Sequence, residues 1–464
     1  MTADVILSDT ALEDLEDSVR GAVLQPGDEG YDEARTVWNA MIDKRPMAIV
    51  RVSGVADVIR SVEFAREHDL PLAVKGNGHN VAGNAICDGG LTIDLSAMTS
   101  VRVDPEAKRA QVEPGATLAD VDHETQAFGL VTPLGFVSDT GISGLTLGGG
   151  FGYLSRKYGL TIDNLKSVDL VTAEGDLVRV SADEHPELFW GLRGGGGNFG
   201  VVTSFEFDLH EAGPEMVAGL VMYPANAAQS VLRHWRDFVA DIPDELTVWV
   251  IVLSAPPAPF IPEAYHGETI VAVLPIHCGD VEEGERLIEP LRTFGEPIAD
   301  IVERRSYVEW QQFFDDGNAA GARNYWKSLN FTELTDEAID RCLEFARDRP
   351  TSATKVALAH MGGAITRVDA EETAYPHRDT EFLMNAQVRW EDPGLDETCS
   401  DWAQDIFDAM EEFSTHGTYM NFISEDAGKE HFAYRDNYDR LVELKNEWDP
   451  DNVFSLNQNV KPTG

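Results

Sequence analysis

The run GGGGNFG, residues 194–200, limits most strongly the fold that this chain can adopt. It contains the spacing G-x-G-x-x-G, which in Rossmann-type dinucleotide sites follows a strand and opens a helix, so that the pyrophosphate meets the helix N-terminus. Here the order is reversed, because HPELFWGLR before the glycines is predicted to be helical and VVTSFEFDLH after them is predicted to be a strand. The sequence therefore excludes a Rossmann turn at this position.

A second glycine-rich segment, VKGNGHNVAG at residues 74–83, holds one histidine. Glycine lets the backbone approach a ligand closely and leaves amide donors uncovered, so a loop of this composition is typical of an anion site. His79 is either the reactive group of the loop or a hydrogen-bonded turn residue, and the segment alone leaves both interpretations open.

In a third segment, LTLGGGFGYLSRKYG at residues 145–159, the glycines are predicted to precede or open a helix whose first-turn amides would face a phosphate or a ring. The glycines concerned are Gly148, Gly149, Gly150 and Gly152. The alternative is a helix packed tightly against a sheet through glycine. No lysine of the P-loop type follows, which makes an ATP site of that kind a poor match. Three such segments within about 130 residues indicate one large ligand, and a dinucleotide held without a Rossmann fold is the natural candidate.

The charge balance excludes several classes of partner. The chain of 464 residues has 81 acidic and 36 basic side chains, a net charge of -45. Nucleic acids and anionic membranes both require basic patches, so neither is an expected partner. The acid excess is instead typical of a protein from a high-salt cytoplasm, where screening removes self-repulsion. The start has no signal-peptide pattern and no run of about eighteen apolar residues occurs, so the chain is predicted to be soluble and cytoplasmic.

The four cysteines lie far apart without a C-x-x-C pair, and we expect neither a metal site nor a disulfide framework: Cys87, Cys278, Cys342 and Cys399. Residues from about 47 to 200 alternate short strands with helices. After a linker at EAGPEM near residue 212, longer strands and helices predict an α+β domain, an antiparallel sheet with helices on one face.

The strand FLMNAQVRW in this second part carries polar side chains on one face. Asn385, Gln387 and Arg389 share that face by the two-residue period of a strand. Polar groups in a strand that ought to line a core indicate substrate contacts, although a solvent-exposed face is the alternative. Tyr325 and Lys327 in NYWKSLNF are candidates of the same kind.

Six segments of the chain carry a family resemblance: PLAVKGNGHNVAG, DGGLTIDLSAM, GISGLTLGGGFGYLSRKYGLTIDNL, LFWGLRGGGGNFGVVTSFEF, YMNF and WDPDNVFSLNQNVKP. Together they resemble the FAD-linked oxidases of the vanillyl-alcohol oxidase superfamily, in the berberine-bridge-enzyme-like branch. The resemblance implies a PCMH-type FAD-binding domain of two small α+β lobes at residues 1–212, with its core at 42–212. It further implies a substrate domain at 213–415, whose antiparallel sheet roofs the flavin, and a C-terminal segment at 416–464 that returns to the FAD-binding domain.

The resemblance also assigns the cofactor site. His79 is implied to bond covalently to the flavin 8α-methyl group. Many relatives add a second bond through a cysteine four residues before the glycine equivalent to Gly141; Val137 stands there, so a single link is expected. The residues implied to contact FAD are Lys75, Gly76, Asn77, Gly78, His79, Asn80, Gly83, Asp139, Thr140, Gly141, Ile142, Ser143, Gly144, Gly149, Gly152, Gly200, Val201, Asn421 and Asn457.

The implied reaction is oxidation of an alcohol, on a sugar or a secondary metabolite, or less often of an amine carbon, by hydride transfer to the flavin. Tyr419 would act as the base, with Asn385, Gln387 and Lys327 near the substrate. Because an ordinary phenol is a weak base near neutral pH, we expect an arginine, a lysine or a ring dipole to lower the pKa of Tyr419. The alternative is that Tyr419 only packs against the flavin.

The sequence leaves two electron acceptors open. In relatives, the residue after the glycine equivalent to Gly141 gates oxygen, with valine favouring oxidases and leucine blocking them. Ile142 lies between those cases. We expect an oxidase that makes hydrogen peroxide from O2, with a dehydrogenase as the alternative. A 2-hydroxy-acid dehydrogenase would show a metal-liganding histidine cluster, and a flavin carrier without catalysis would lack Tyr419; neither pattern is found in the sequence.

Overall fold

The first lobe contains a small mixed sheet with one long helix packed on it. This computed structural model describes residues 9–424 and 430–463. The elements are α1 Asp9–Ser18, β1 Ala22–Leu24, α2 Tyr31–Ala34, β2 Ala48–Arg51, α3 Val55–Glu67, β3 Leu72–Lys75 and β4 Leu91–Asp94. The strand order is β1-β2-β4-β3, with β4 parallel to both neighbours. Strand β3 delivers the VKGNGHNVAG loop at its carboxyl end, where ligands of such sheets bind.

The second lobe is built on an antiparallel sheet of order β5-β6-β10-β8-β9. Its elements are β5 Val101–Asp104, β6 Arg109–Val112, α4 Leu118–Gln126, β7 Leu130–Val131, α5 Ile142–Leu147, α6 Ser155–Tyr158, β8 Leu165–Val171, β9 Leu177–Ser181, α7 Pro186–Leu192, β10 Val201–Asp208 and β11 His210–Glu211. Helix α7 precedes GGGGNFG and strand β10 follows it, so the exclusion of a Rossmann turn is confirmed.

Of the prediction that Gly148 to Gly152 precede or open a helix, only the first part holds: they precede the short helix α6, and no helix begins at these glycines. Helix α5 ends at Leu147, immediately before these glycines, and α6 has only four residues. Gly149 and Gly150 have φ angles of 120° and 74°, a left-handed backbone that ends a helix and favours glycine. A Cβ atom at Gly150 would lie 2.2 Å from Thr161 Oγ1. The alternative, tight packing through glycine, describes this segment.

The chain from the second lobe to residue 411 forms an antiparallel sheet and the helices that connect its strands. The sheet has nine strands within the described ranges. The elements are β12 Glu215–Ala218, β13 Val221–Pro224, α8 Ala228–Val239, β14 Leu246–Ser254, β15 Thr269–His277, α9 Val281–Arg292, β16 Ala299–Asp300, β17 Glu303–Ser306, α10 Tyr307–Gln311, β18 Arg323–Phe331, α11 Asp336–Arg347, β19 Lys355–His360, β20 Phe382–Trp390 and α12 Asp396–Glu411. The central order is β16-β13-β15-β14-β19-β20-β18, with β12 beside β15 and β17.

Helices α8, α9, α11 and α12 cover one face of this sheet, as the α+β prediction required. Their apolar residues pack with alternate strand residues such as Val250, Leu329 and Met384. The opposite face carries Trp249 and Leu383, which pack with Phe151 and other aromatic residues contributed by the second lobe. The sheet is therefore a roof over the FAD-binding lobes predicted from the sequence. The domain bounds at residues 212 and 415 stay a prediction.

The cysteines are small buried residues, as expected. All four are free and buried, and burial raises the pKa of Cys342 to about 12. The Sγ atom of Cys87 lies 3.5 Å from the carbonyl oxygen of Leu91, inside the first lobe. Among the helices of residues 9–424 and 430–463, none combines the length and the apolar character needed to cross a bilayer.

Helix α14, Tyr438–Trp448, joins the C-terminal segment to the GGGGNFG turn, and the short helix α13, Glu430–Tyr434, precedes it. The fully buried Lys445 ammonium lies 2.6 Å from the Asp449 carboxylate and donates to the carbonyl oxygens of Asn198 at 2.8 Å and Phe454 at 3.0 Å. The Lys445 ammonium therefore joins the end of α14, the GGGGNFG turn and the chain that follows the helix.

Replacing Lys445 with methionine is expected to lower the free energy of unfolding by about 3–5 kcal/mol, because Asp449 would keep a buried charge without its counter-ion. Denaturant unfolding in high-salt buffer measures the change. The matched control, Lys461→Met, removes an exposed lysine from the same tail and should change stability by less than about 0.5 kcal/mol. Equal stabilities for the two variants would contradict the structural role of Lys445.

Candidate active site

A long cavity runs between the two lobes and the roof, and we call it the main cavity. It encloses about 1630 Å³ of empty space including its open mouth. The first lobe, the second lobe, the roof and the C-terminal segment all contribute to its walls. Predicted cofactor residues that line it are Gly76, Asn77, Gly78, His79, Asn80, Thr140, Gly141, Ser143, Gly144, Gly200, Val201, Asn421 and Asn457.

Six predicted cofactor residues lie outside the lining, and five of them have a packing role nearby. Lys75 is buried and donates to the carbonyl oxygen of Ala34 at 2.6 Å. Ile142 packs in the core of the second lobe, so its side chain is not placed to gate the cavity. The glycines pack closely against neighbouring groups that a Cβ atom would strike or crowd: Gly83, Gly149 and Gly152.

His79 lines the main cavity and contacts two neighbours. Its ring stacks on Trp38, with centroids 5.5 Å apart and 21° between planes. Nε2 lies 3.4 Å from Oδ1 of Asp139, the remaining predicted cofactor residue. The Trp38 indole is itself fixed, since its N–H donates to the carbonyl oxygen of Asn318 at 2.6 Å. The geometry places His79 at the cavity wall with an oriented ring, which a simple turn residue would not require.

The cavity walls fit a large ligand rich in hydrogen-bonding groups. Asn77 Oδ1, Asn457 Oδ1 and Gln458 Nε2 are buried lining atoms without a hydrogen-bond partner in the described part of the chain. Buried polar atoms are normally paired, so these atoms need a ligand or water. A Cβ atom at Gly144 would meet nothing within 4 Å, which places open space directly against the backbone there. These features match a dinucleotide such as FAD.

Tyr419 is buried at the roof side of the same cavity, with 2% of its surface exposed. Its hydroxyl oxygen accepts hydrogen bonds from the Gly150 N–H and from Asn421 Nδ2, both at 3.0 Å. Burial raises the pKa of Tyr419 to about 12, against the opposite effect of these two donors. The prediction that an arginine, a lysine or a ring dipole lowers this pKa is wrong, because burial outweighs the two donors. The rings that pack around Tyr419 are Phe151, Tyr375 and Phe422.

A smaller cavity under the roof, the side cavity, shares Phe136, Phe151, Asn318 and Phe422 with the main cavity. Its further lining residues are Tyr153, Trp249, Ile251, Leu274, Phe314, Lys355, Ala357, Ala359, Leu383, Asn385 and Gln387. The predicted pair Asn385 and Gln387 therefore faces an interior space beside the main cavity.

Lys327 lies on the other face of the roof, contrary to the prediction. It pairs with Ala386, whose side chain packs under the helices, whereas Trp326 on the cavity face pairs with Gln387. The Lys327 ammonium stands 5.7 Å from the ring centroid of Phe407 on α12 and 5.1 Å from that of Tyr325. Neither Lys327 nor Tyr325 lines either cavity.

The sequence prediction missed Trp38, Asn318, Trp326 and Lys355. Trp38 and Asn318 belong to segments that carry no motif, whereas Trp326 lies between the predicted Tyr325 and Lys327 in NYWKSLNF. Lys355 had a usable signal, since it is the one charged residue of the strand KVALAH, and its alternation with Ala357 and Ala359 indicates one shared face.

Comparisons with known proteins agree with this site. The family model described as FAD binding domain matches residues 46–181, and the one described as berberine and berberine like matches residues 418–461. An FAD-linked oxidoreductase of Dictyostelium discoideum is 32% identical over 452 residues, 96% of each chain. The (R)-6-hydroxynicotine oxidase of Paenarthrobacter nicotinovorans is 31% identical, over 96% of this chain and 98% of the other.

Among solved structures, 6-hydroxy-D-nicotine oxidase from Arthrobacter nicotinovorans superposes with a TM-score of 0.87 at 30% identity, over 96% of this chain and 98% of that one. The likeness extends across both lobes, the roof and the C-terminal segment, so it covers the whole site and not one motif of it. The chain therefore belongs to the berberine-bridge-enzyme-like family of FAD-linked oxidoreductases.

Proposed function

We propose that the protein oxidises a CH–OH or CH–N bond of a small substrate, with FAD linked covalently to His79, and passes the electrons to O2 to give hydrogen peroxide. The observation that carries the proposal is the placement of His79 and Tyr419 on one cavity, with the side cavity opening beside them. The similarity to the (R)-6-hydroxynicotine oxidase supports the oxidase form of the reaction.

His79 is the attachment point in this proposal. Because Nε2 faces Asp139, Nδ1 is the ring nitrogen left for the bond to the flavin. The Trp38 stack keeps the imidazole plane fixed. Val137 also lines the cavity, and within residues 9–424 and 430–463 no cysteine does, which supports a single covalent link. When bound, FAD would accept the hydride that leaves the substrate carbon, which carries both electrons of the oxidation.

Tyr419 takes the substrate proton in this proposal. A neutral phenol that accepts two hydrogen bonds has both lone pairs engaged, whereas a phenolate keeps a third position for a substrate O–H or N–H. The donors at Gly150 and Asn421 both favour the phenolate, while burial opposes it. Asn385 and Gln387 would orient the substrate from the roof.

The test is a two-stage measurement on purified enzyme in high-salt buffer. Aromatic alcohols, cyclic amines, aldoses and oligosaccharides are mixed with the enzyme without oxygen, and bleaching of the flavin absorbance identifies substrates. Air is then admitted. Reoxidation within seconds with one hydrogen peroxide per flavin is the expected result. Bleaching that persists in air and reverses with a quinone or dye would instead assign a dehydrogenase, and no bleaching by any CH–OH or CH–N compound would contradict the proposal.

A further inference from the structure

A turn between α10 and the roof strand β18, residues 315–318, supports both neighbours of His79, and we call it the roof turn. It contains a short 3-10 helix, Asp316–Asn318. The backbone carbonyl oxygen of Asn318 accepts the Trp38 indole N–H at 2.6 Å, and Trp38 stacks on the ring of His79. This end of the turn therefore fixes the surface on which the imidazole lies.

The first residue of the roof turn holds the segment that carries Asp139. The Asp315 carboxylate accepts the Ser138 backbone N–H at 2.9 Å and the Ser138 hydroxyl at 2.5 Å. Hydrogen bonds to a carboxylate are stronger than bonds between neutral groups, and Ser138 is buried. Asp139 follows Ser138 directly, and its Oδ1 lies 3.4 Å from His79 Nε2. The roof turn therefore also limits the position of the carboxylate that faces the imidazole.

The roof turn is itself held by several elements. Asn318 Nδ2 donates to the carbonyl oxygen of Phe314 at 2.7 Å, and Asn318 Oδ1 accepts from Lys355 Nζ at 2.9 Å. Just after the turn, the Gly321 N–H donates to the carbonyl oxygen of Trp38 at 3.2 Å. The turn therefore has fixed contacts on strand β19 and on the first lobe, which lets it transmit the position of the roof to His79.

The bond proposed between His79 and the flavin depends on the position of the imidazole ring. Its formation joins Nδ1 to the 8α-methyl carbon, while that carbon loses a proton and the imidazole loses the Nε2 proton that faces Asp139. The two electrons released pass, with two protons, to O2, the acceptor of the proposed reaction, and give hydrogen peroxide. Reacting atoms must lie about 3–3.5 Å apart, and a misplacement of about 1 Å can cost about 100-fold in rate.

We propose that the roof turn positions His79 for its bond to the flavin, with Asp315 as the positioning residue. Asp315 acts through Ser138 and Asp139, and the carbonyl group of Asn318 acts through Trp38. This role rests on the proposed covalent link of FAD to His79. It implies that the roof must be docked on the two lobes before the bond can form.

The test compares the attached fraction of flavin in purified full-length variants. This fraction is the flavin that stays with the acid-precipitated chain, divided by the flavin bound before precipitation. We expect a value near one for the wild type and a loss of at least about twofold for Asp315→Ala, because attachment slows about 10- to 100-fold. Asp315→Asn keeps one acceptor oxygen for Ser138, so its value should lie between these two. The matched control, Asp316→Asn, removes the same charge from the exposed next residue and should keep the wild-type value.

The flavin bound before precipitation and the melting temperature show whether each variant is folded. A purely structural role of Asp315 would lower these two quantities and leave the attached fraction at the wild-type value, which would overturn the proposal. If Asp315→Ala binds no flavin, Ser138→Ala replaces it, because it removes one of the two hydrogen bonds to Asp315. An attached fraction between those of the wild type and the His79→Ala variant supports the proposal, and a wild-type value overturns it. Failure of the proposed function gives a different result: the wild type itself would release its flavin in acid, and no bond would exist for Asp315 to serve.

Discussion

Tyr419→Phe is expected to slow reduction of the flavin by substrate about 10²- to 10⁴-fold, the usual contribution of a positioned proton acceptor. The phenylalanine keeps the ring contacts with Phe151 and Phe422 and removes only the hydroxyl. Stopped-flow absorbance under anaerobic conditions measures the rate. A role in packing alone predicts a change of less than about threefold, so the experiment separates the two roles that the sequence left open for this residue.

The pH dependence gives a second signature of the same group. Because burial raises the pKa of Tyr419 to about 12, the phenolate is the minor form below that pH. Its fraction, and with it the rate of flavin reduction, should rise about tenfold per pH unit between pH 7 and 10. Tyr419→Phe should lose this slope. A wild-type rate that does not change over this range would place the proton acceptor elsewhere.

Tyr375→Phe is the matched control for this prediction. Tyr375 is buried beside Tyr419, with ring centroids 6.3 Å apart, and its hydroxyl has no hydrogen-bond partner in the described ranges. Its loss therefore removes the same atom without breaking a hydrogen bond. Tyr419→Phe leaves the buried Gly150 N–H unpaired, which costs about 1–3 kcal/mol. Comparing the melting temperatures of the two variants keeps this loss of stability apart from the loss of rate.

Local sequence patterns predicted the features that depend on neighbouring residues. The helix before GGGGNFG and the strand after it could be read from periodicity, and so could the shared face of Asn385 and Gln387. Periodicity could not decide which face of the roof meets the cavity. Alternation separates Lys327 from Trp326, yet only the pairing of β18 with β20 shows that Trp326 lies beside Gln387. That register joins residues about 60 positions apart.

The surroundings of Tyr419 and the backbone of the third glycine segment both depend on contacts that a local pattern does not contain. A sequence motif does not reveal that rings instead of cations enclose a phenol, because those rings come from residues as distant as Phe151. Likewise, Gly150 has a left-handed backbone and lies against Thr161, and that contact is formed by the fold. Trp38, which stacks on His79, is held by a hydrogen bond to Asn318, a residue 280 positions away in the chain.

His79→Ala is expected to convert covalently bound flavin into dissociable flavin. After precipitation in acid, the wild-type pellet should keep nearly all the yellow colour and the His79→Ala pellet none. The physical reason is the position of His79, whose ring is stacked on Trp38 and oriented by Asp139 at the cavity wall. His123→Ala is the matched control, since it removes an exposed histidine on α4 and should leave the colour in the pellet.

The same variant should acquire a melting temperature that depends on added FAD. A ligand that dissociates stabilises the fold according to its free concentration, by about 2.7 kcal/mol at one hundred times its dissociation constant. A covalent ligand does not respond to added FAD, so the wild-type melting temperature should stay constant over the same titration. If wild-type protein releases its flavin into the acid supernatant and also melts higher as FAD is added, His79 makes no bond to the flavin. The stacked imidazole would then serve only to shape the cavity wall.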